Sequence, residues 1–320
     1  MSCPEYAKFN NISSLNDNNL INQLEDNIKG FLDWGFLHIG GFININYPTS
    51  GLYTGSYSQL NNIEEPGFSK GQVWQTFKKD WVWETGVAYN NYSPINISGV
   101  HVDSTFYPAP TGSGNMGYAL NYPMGQVVFD RSLGSRSNVN MSYSYRWCQV
   151  HKSSTYPYWV ELQELTTKPF TRTSPTNKGD YSISANHRIQ MPCIIIEPIA
   201  RSDSKPWQLG SSNFEVSQDM LLHVFTENKT DNNRIVDIIR LQKEKTIQMY
   251  DINKVVNSGY QAFYHNGSLN IGAKNYFDLI SDSSTQWHKC FFSDVTTLDM
   301  ESANKNIYWC TIRLTAQVII

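Results

Sequence analysis

From Val139 to Trp147 apolar and polar residues alternate one for one. Val139, Met141, Tyr143, Tyr145 and Trp147 fall on one side; Asn140, Ser142, Ser144 and Arg146 fall on the other. A period of two is the repeat of an extended strand, whose successive side chains point to opposite faces. The pattern returns at 306–320, where Tyr308, Cys310, Ile312, Leu314, Ala316 and Val318 interleave with Trp309, Thr311, Arg313, Thr315 and Gln317. A helix would scatter either set around its circumference. The chain must therefore build sheets that bury one face.

Shorter signals extend this reading. Ile95, Ile97, Val100 and Val102 alternate with polar residues. His101 to Phe106 reads as two short extended runs joined by a turn, and QVVFD at 126–130 as a short apolar run. The stretch 95–150 thus predicts antiparallel hairpins. MPCIIIEPI is a buried run, Phe214 to Thr226 an extended one, and two closing strands fall around 289–297 and 306–320. Helical spacing of Leu20, Ile21, Leu24, Ile28, Phe31 and Leu32 predicts an N-terminal helix, with Asp17 as N-cap and Gly35 as its stop. The segment after it, GFLHIGGFININY, is expected to be extended. Residues 48–75 read as loop, and the cluster Trp74, Phe77, Trp81 and Trp83 as a short helix entering a strand. A second helix is expected at 231–246, with Asp231 as N-cap, Lys243 and Lys245 near its C-terminus, and Ile235, Ile238, Ile239, Leu241 and Gln242 on its apolar face. The fold class is α+β, mainly β: antiparallel, hairpin-rich sheets with an N-terminal helix and one helix packed on a C-terminal sheet. A chain of 320 residues suits one large domain or two. The division expected is 1–165 and 181–320 around a polar, proline-containing loop at 166–180, unless the two form one continuous domain. No internal repeat stands out.

Composition and motifs exclude several functions. Charged residues make up only 17%, so the polarity comes from Asn, Ser, Thr and Gln, a surface suited to packing against protein. Lys and Arg are scattered without a basic block and the net charge is −3, which argues against a dedicated nucleic-acid binder. Cys3, Cys148, Cys193, Cys290 and Cys310 show no CxxC spacing and read as buried free thiols of a reducing compartment, not as a zinc site. There is no signal-peptide pattern and no apolar run of about 20 residues, so no membrane contact is expected. GxSxG, phosphate-loop and HExxH motifs are absent, and Gly112-Ser113-Gly114 reads as a turn. His223 and Glu227 share one side of a strand, a spacing open to a metal ion, although a hydrogen-bonded, partly buried histidine is the simpler expectation. Asp80 and Glu84 flank Trp81 and Trp83; carboxylates beside aromatics occur in glycosidase clefts, but only where both face one cleft. An edge-of-core position is the alternative. No catalytic, cofactor-binding or metal-binding residues are assigned, and no cofactor is expected.

Several segments carry a family resemblance: GFLHIGGF (35–42), DWVWETG (80–86), ISGVHVDSTFYP (97–108), YPMGQVVFD (122–130), YSYRWCQV (143–150), ANHRIQMPCIIIEP (185–198), the run from Gln208 to Asn228, and NNRIVDIIRLQKEKTI (232–247). Together they resemble virion structural proteins of tailed bacteriophages, cyanophages especially. The G-x-V-x-F-D hairpin with a Tyr-x-Tyr strand resembles phage neck and tail proteins. The strand, helix and closing strand of the last third resemble tail-terminator and neck-connector modules. The resemblance implies a non-enzymatic protein forming a homo-oligomeric ring between head and tail tube, in contact with other neck or tail proteins. It implies assembly in the bacterial host cytoplasm, a final place in the virion, and a polar or acidic channel through which DNA passes without specific binding. Other places in the virion (baseplate, adaptor, sheath-associated or capsid decoration) fit nearly as well. A carbohydrate-binding or glycan-cleaving tail module is the alternative from another class. It is motivated by nine tryptophans, nineteen tyrosines and the Asp80/Glu84 pair, and tested through Trp81, Trp83 and Glu84.

Overall fold

The computed structural model describes residues 20–48, 57–109, 116–134, 136–156, 159, 190–208, 213–304 and 307–320. Asp17, Cys3, the Gly112-Ser113-Gly114 turn and the 166–180 loop lie outside them.

The chain is mainly β, with antiparallel sheets, an N-terminal helix and a second long helix on a C-terminal sheet. Helix α1 (Leu20–His38) is followed by β1 (Phe42–Ile45), β2 (Gln59–Ile63), β3 (Val73–Gln75), β4 (Gly99–Val102) and β5 (Thr105–Pro108). Then come β6 (Tyr118–Asn121), β7 (Gln126–Phe129), β8 (Val139–Met141), β9 (Tyr143–Arg146) and β10 (Gln149–Lys152). The last third holds β11 (Cys193–Pro206), β12 (Phe214–Thr226), α2 (Lys229–Arg240), β13 (Thr246–Tyr250), α3 (Ile252–Asn257), α4 (Tyr276–Ser281), β14 (Gln286–Asn304) and β15 (Ile307–Ile319).

Seven strands form one sheet in the order β5-β4-β8-β2-β3-β7-β6, and β1 pairs separately with β9. The predicted hairpins are β4–β5 and β6–β7. Their core gathers Val100, Val127, Phe129, Val139, Met141, Tyr143 and Trp81, all at most 1% exposed. The other six strands run β10-β11-β12-β15-β14-β13, antiparallel except for the β10–β11 pair. One face of this sheet carries Ile194, Ile196, Leu222, Val224, Cys310, Ile312 and Leu314. Both α1, through Leu24, Ile28, Leu32 and Phe36, and α2, through Ile235, Val236 and Ile239, cover that face. Helix α1 and strand β10, from the first stretch of sequence, thus share a core with the second. The opposite face is mixed: Cys193, Ile195 and Phe225 bury a small apolar cluster with Trp159 at one end, and charged residues occupy the other end.

Several local expectations are corrected. Helix α1 passes through Gly35 and ends at His38. Gly40 takes the left-handed backbone (φ +86°), and Gly41 N–H donates to the Phe36 carbonyl at 2.8 Å. A helical glycine costs about 1 kcal/mol, and burial of Phe36 and Leu37 just beyond it outweighs that. Thus 36–38 are helical, not extended. The stretch expected to be loop contains β2 and β3. No helix spans Trp74 to Trp83: Trp74 lies in β3, Trp81 bridges Tyr145, and Phe77 is 61% exposed. Helix α2 is capped by Asn228, whose side-chain oxygen accepts from Asp231 N–H at 2.8 Å. The Asp231 carboxylate in turn accepts from Asn228 Nδ2 at 2.6 Å, which holds the capping side chain in place. The helix stops at Arg240, leaving Leu241 82% exposed and Lys243 and Lys245 in the turn before β13.

The edge of β13 is closed by a side chain. Asn27 of α1 donates Nδ2 to the Tyr250 carbonyl at 2.9 Å and accepts from Tyr250 N–H at 2.8 Å. The amide imitates one residue of a neighbouring strand.

Candidate functional site

The polar side of the 139–147 strand does not face solvent. Ser144 is fully buried and Arg146 is 5% exposed, because β1 and the 80–82 segment flank β9. Val82 N–H donates to the Ser144 carbonyl at 2.8 Å, and Arg146 N–H to the Asp80 carbonyl at 3.3 Å. The arginine is thereby carried inward, to the wall of a cavity of about 740 Å³.

Four stretches build most of that cavity, α1, the 79–84 turn, the run from Arg146 to Tyr156 and the segment from Tyr250 to Leu279, and Pro123, Met124 and Gln190 complete it. At its wall Arg146 Nε meets Asp80 Oδ2 at 3.2 Å, and Nη2 donates to Glu84 Oε1 at 2.5 Å. Glu84 Oε2 also accepts from Trp83 N–H at 3.2 Å. One turn of α1 places Lys29 against Asp33. Lys152 and Asp26 pair at 2.7 Å nearby. Trp83 meets Phe263 edge-on, with ring centroids 5.8 Å apart, and Tyr250 meets Tyr276 at 6.2 Å.

Electrostatics follow from this crowding. Burial pushes the Asp80 carboxyl up to about 6, and the charges of Asp33 and Glu84 add to that. Arg146 and Lys29 oppose the rise without cancelling it. Asp80 also adopts a left-handed backbone (φ +54°), a conformation that is sparse for a residue with a side chain. Burial works against the charge on Arg146, but Glu84, Asp80 and Asp33 outweigh it and raise its pKa. Lys29 is raised in the same way, Asp33 overcoming burial. Burial lowers Lys79 to about 8 and His151 to about 4, so His151 is neutral at pH 7. Its ring stacks on Tyr156 with centroids 4.1 Å apart.

Asp80 and Glu84 do therefore line one cavity, as a cleft reading demands, but a single guanidinium holds both. Neither is presented as a free acid–base pair. Trp81 is fully buried between Tyr122 and Tyr143, with Nε1 donating to Thr76 Oγ1 at 3.1 Å, so it is a core residue; Trp83 lines the cavity. His223 does not pair with Glu227. Its Nε2 lies 2.9 Å from Glu197 Oε2, across the β11–β12 ladder, and Nδ1 lies 3.3 Å from Thr311 Oγ1. Among the described residues no group of three or more His, Cys, Asp or Glu is placed to hold a metal ion, and no helix is long and apolar enough to cross a membrane. Cys148, Cys193, Cys290 and Cys310 are buried free thiols. Sequence reasoning missed Arg146, Lys29 and Asp33. The available signal was the i,i+4 Lys–Asp pair on a helix and an isolated arginine in a strand otherwise free of charge.

A second surface belongs to the six-stranded sheet. Strand β10 pairs only with Cys193 to Ile196 of β11. Beyond Ile196, β11 has no strand partner on its outer side among the described residues. On the other side of the sheet, β13 and the turn before it cover β14 only as far as Phe292. Residues from Asp294 onward have no outer strand partner among those described. The register β11–β12–β15–β14 sets these two open edges at opposite ends of the sheet, diagonally across it. The polar face between them carries Asp203, Glu215, Asp219 and Asp294 against Arg201, Lys205 and Arg313. Arg313 and Asp294 pair at 3.1 Å, and Thr315 Oγ1 donates to Asp219 Oδ1 at 2.6 Å.

No protein-family model matches the chain, and a search of curated proteins finds no match to it.

Proposed function

We propose that this protein is a non-enzymatic structural component of a tailed-phage virion, a ring-forming connector or tail terminator between head and tail tube. The observation that carries the reading is the pair of diagonally placed open edges on the six-stranded sheet. An exposed strand edge is a template for pairing with another chain. When the two edges lie at opposite corners, the β11 edge of one copy meets the β14 edge of the next. Such head-to-tail contacts produce a ring if the rotation closes. The polar face, with carboxylates and cations nearly balanced, would then line the channel and let DNA pass without holding its phosphates. The resemblance of segments such as YPMGQVVFD and NNRIVDIIRLQKEKTI to phage virion proteins supports the same place. In this reading the chain assembles in the host cytoplasm and contacts other neck or tail proteins. Baseplate, adaptor or decoration roles are the nearest alternatives.

Light scattering across a concentration series tests the ring. The expected result is a closed species of fixed mass. Ala200→Pro should reduce it to monomer without unfolding the chain, because residue 200 lies in the β11 bulge between Pro198 and Ser202, where no β12 pairing is made. A monomer at every concentration, in wild type and variant alike, removes the ring.

A further inference from the structure

Backbone hydrogen bonds set which residues of each open sheet edge face outward. Phe214 and Ile320 exchange both N–H···O bonds, at 2.8 and 2.9 Å. Bonded and non-bonded pairs alternate along an antiparallel ladder. Glu215 and Ser217 therefore turn their backbone groups to Lys205 and Asp203 of β11, and Ser202 and Ser204 turn theirs to the open side. The same alternation along β15 turns Thr315 and Arg313 to Asp294 and Thr296, which leaves Val295 and Thr297 of β14 facing outward. Leu298 and Met300 on that edge are 46% and 50% exposed, apolar surface for another chain to cover.

Strand direction follows from the pairings. Strand β12 opposes β11, β15 opposes β12 and β14 opposes β15, so β14 runs antiparallel to β11 within one copy. A head-to-tail neighbour whose sheet continues this one keeps those directions, and its β14 also meets β11 antiparallel. Side chains then choose the register. On the face away from the helices β11 offers Arg201, Asp203 and Lys205, and β14 offers Asp294, Thr296 and Asp299. With Ser204 opposite Val295, Lys205 meets Asp294, Asp203 meets Thr296, and Arg201 falls beside Asp299 past a bulge in each strand. Lys205 and Arg201 touch Glu215 and Asp219 of their own chain at 3.2 and 3.5 Å but stay mostly exposed, open to a second carboxylate. Sliding by two residues brings Asp203 to Asp294 in one direction and beside Asp299 in the other, like charges that repel. The first slide also meets the turn before β13, where Glu244 N–H donates to the Phe292 carbonyl at 2.8 Å. A slip of one residue turns the charged side chains to the wrong face.

Resting on the ring reading, we propose that a second copy occupies each edge through an antiparallel ladder of β11 on the next copy's β14, with Ser204 opposite Val295 and with Lys205 on Asp294 and Arg201 on Asp299 selecting that register. The same charges forbid the symmetric alternative. Two β11 edges paired about Asp203 set Arg201 against Lys205 and Asp203 against itself, and two β14 edges set carboxylate against carboxylate. Contact is therefore head-to-tail and not an isologous dimer.

The test is charge reversal in the full chain. Arg201→Glu and Asp299→Arg, both at exposed positions, should each raise the concentration of half-assembly in light scattering by about tenfold or more. Combined in one chain they should return it to within about threefold of wild type. The two residues lie at opposite corners of one copy, so recovery comes from contact between copies. In a Cys3→Ser background, Asp203→Cys with Thr296→Cys should give covalent multimers larger than dimers on oxidation, while each alone stops at dimer. If a charge variant does not fold, the cysteine pair decides. Unchanged assembly in both single charge variants, no recovery in the combination, or no multimers beyond dimer overturns this register and leaves the ring standing. A wild type that never assembles removes both.

Discussion

Replacing Asp80 with asparagine should make the chain more stable at neutral pH and leave it nearly unchanged in acid. The carboxyl lies at about 6 in the fold, against an ordinary value of 3.8. Between those values the folded chain holds a proton that the unfolded chain has released. Stability is therefore lost as pH rises through this window, the reverse of the usual salt-bridged aspartate. A displacement of about two pH units corresponds to about 3 kcal/mol once both states are ionised. The side chain is 22% exposed, so burial is deep enough for most of that to apply. The asparagine side chain carries no charge at any pH and escapes the loss. Asparagine also tolerates the left-handed backbone (φ +54°) as well as aspartate does, so backbone strain is not the variable. His151, lowered to about 4 by burial, pulls the other way, since stability is gained as its imidazole loses its proton. That contribution is common to both proteins and drops out of their difference. Urea unfolding at a series of pH values is the assay. The variant-minus-wild-type stability should climb by about 2–3 kcal/mol from pH 4 to pH 7.5. A flat difference, or one that falls, would refute the assignment of Asp80 as a carboxyl destabilised by its surroundings.

Arg146→Met should cost about 3–5 kcal/mol at pH 7, because it strands Asp80 and Glu84 together; a loss under about 1 kcal/mol in urea would show that the cluster relaxes. Trp81→Ala should cost about 3–5 kcal/mol in the same assay, as a fully buried ring packed on Tyr122 and Tyr143 is removed. Asn27→Ala should cost about 1–3 kcal/mol by leaving both backbone groups of Tyr250 unpaired, with amide exchange at Tyr250 accelerated first. Cys193, Cys290 and Cys310, whose thiols burial pushes up to about 12, should resist an aromatic disulfide reagent at pH 8, as should Cys148, and all four should react once urea is added.

Strands were legible where a long alternating run buries one face, and short ones such as β2, which also buries one face, were not. The closing strand shows this: Cys310, Ile312, Leu314, Ala316 and Val318 face the helices, while Thr311, Arg313, Thr315 and Gln317 point to the other side. The same period misleads at Asn140, Ser144 and Arg146, where a second layer covers the polar side. Periodicity reports which side chains point together, not what lies opposite. Helix ends failed for a related reason. Gly35 and Asp231 are good local signals, but packing of Phe36 and Leu37 extended one helix, and Asn228 began the other three residues earlier. The cavity was invisible because its members come from α1, the 79–84 turn, the run from Arg146 to Tyr156 and the segment from Tyr250 to Leu279, which no local pattern joins. Only Asp80, Trp83 and Glu84 were singled out, and they lie within five residues of one another.

The seat of α1 bears on how this chain is made on the ribosome. Leu24, Ile28, Leu32 and Phe36 are made well before their cover, which comes first from β10 and β11 and then from β13. At about 5–20 residues per second, the wait between α1 and the end of β13 lasts on the order of 10–40 s. Through that interval the nascent chain presents an apolar stripe that is uncovered at first and only partly covered later. Chaperone occupancy on stalled ribosomes should accordingly fall in two steps, one as β11 clears the exit tunnel and one as β13 does.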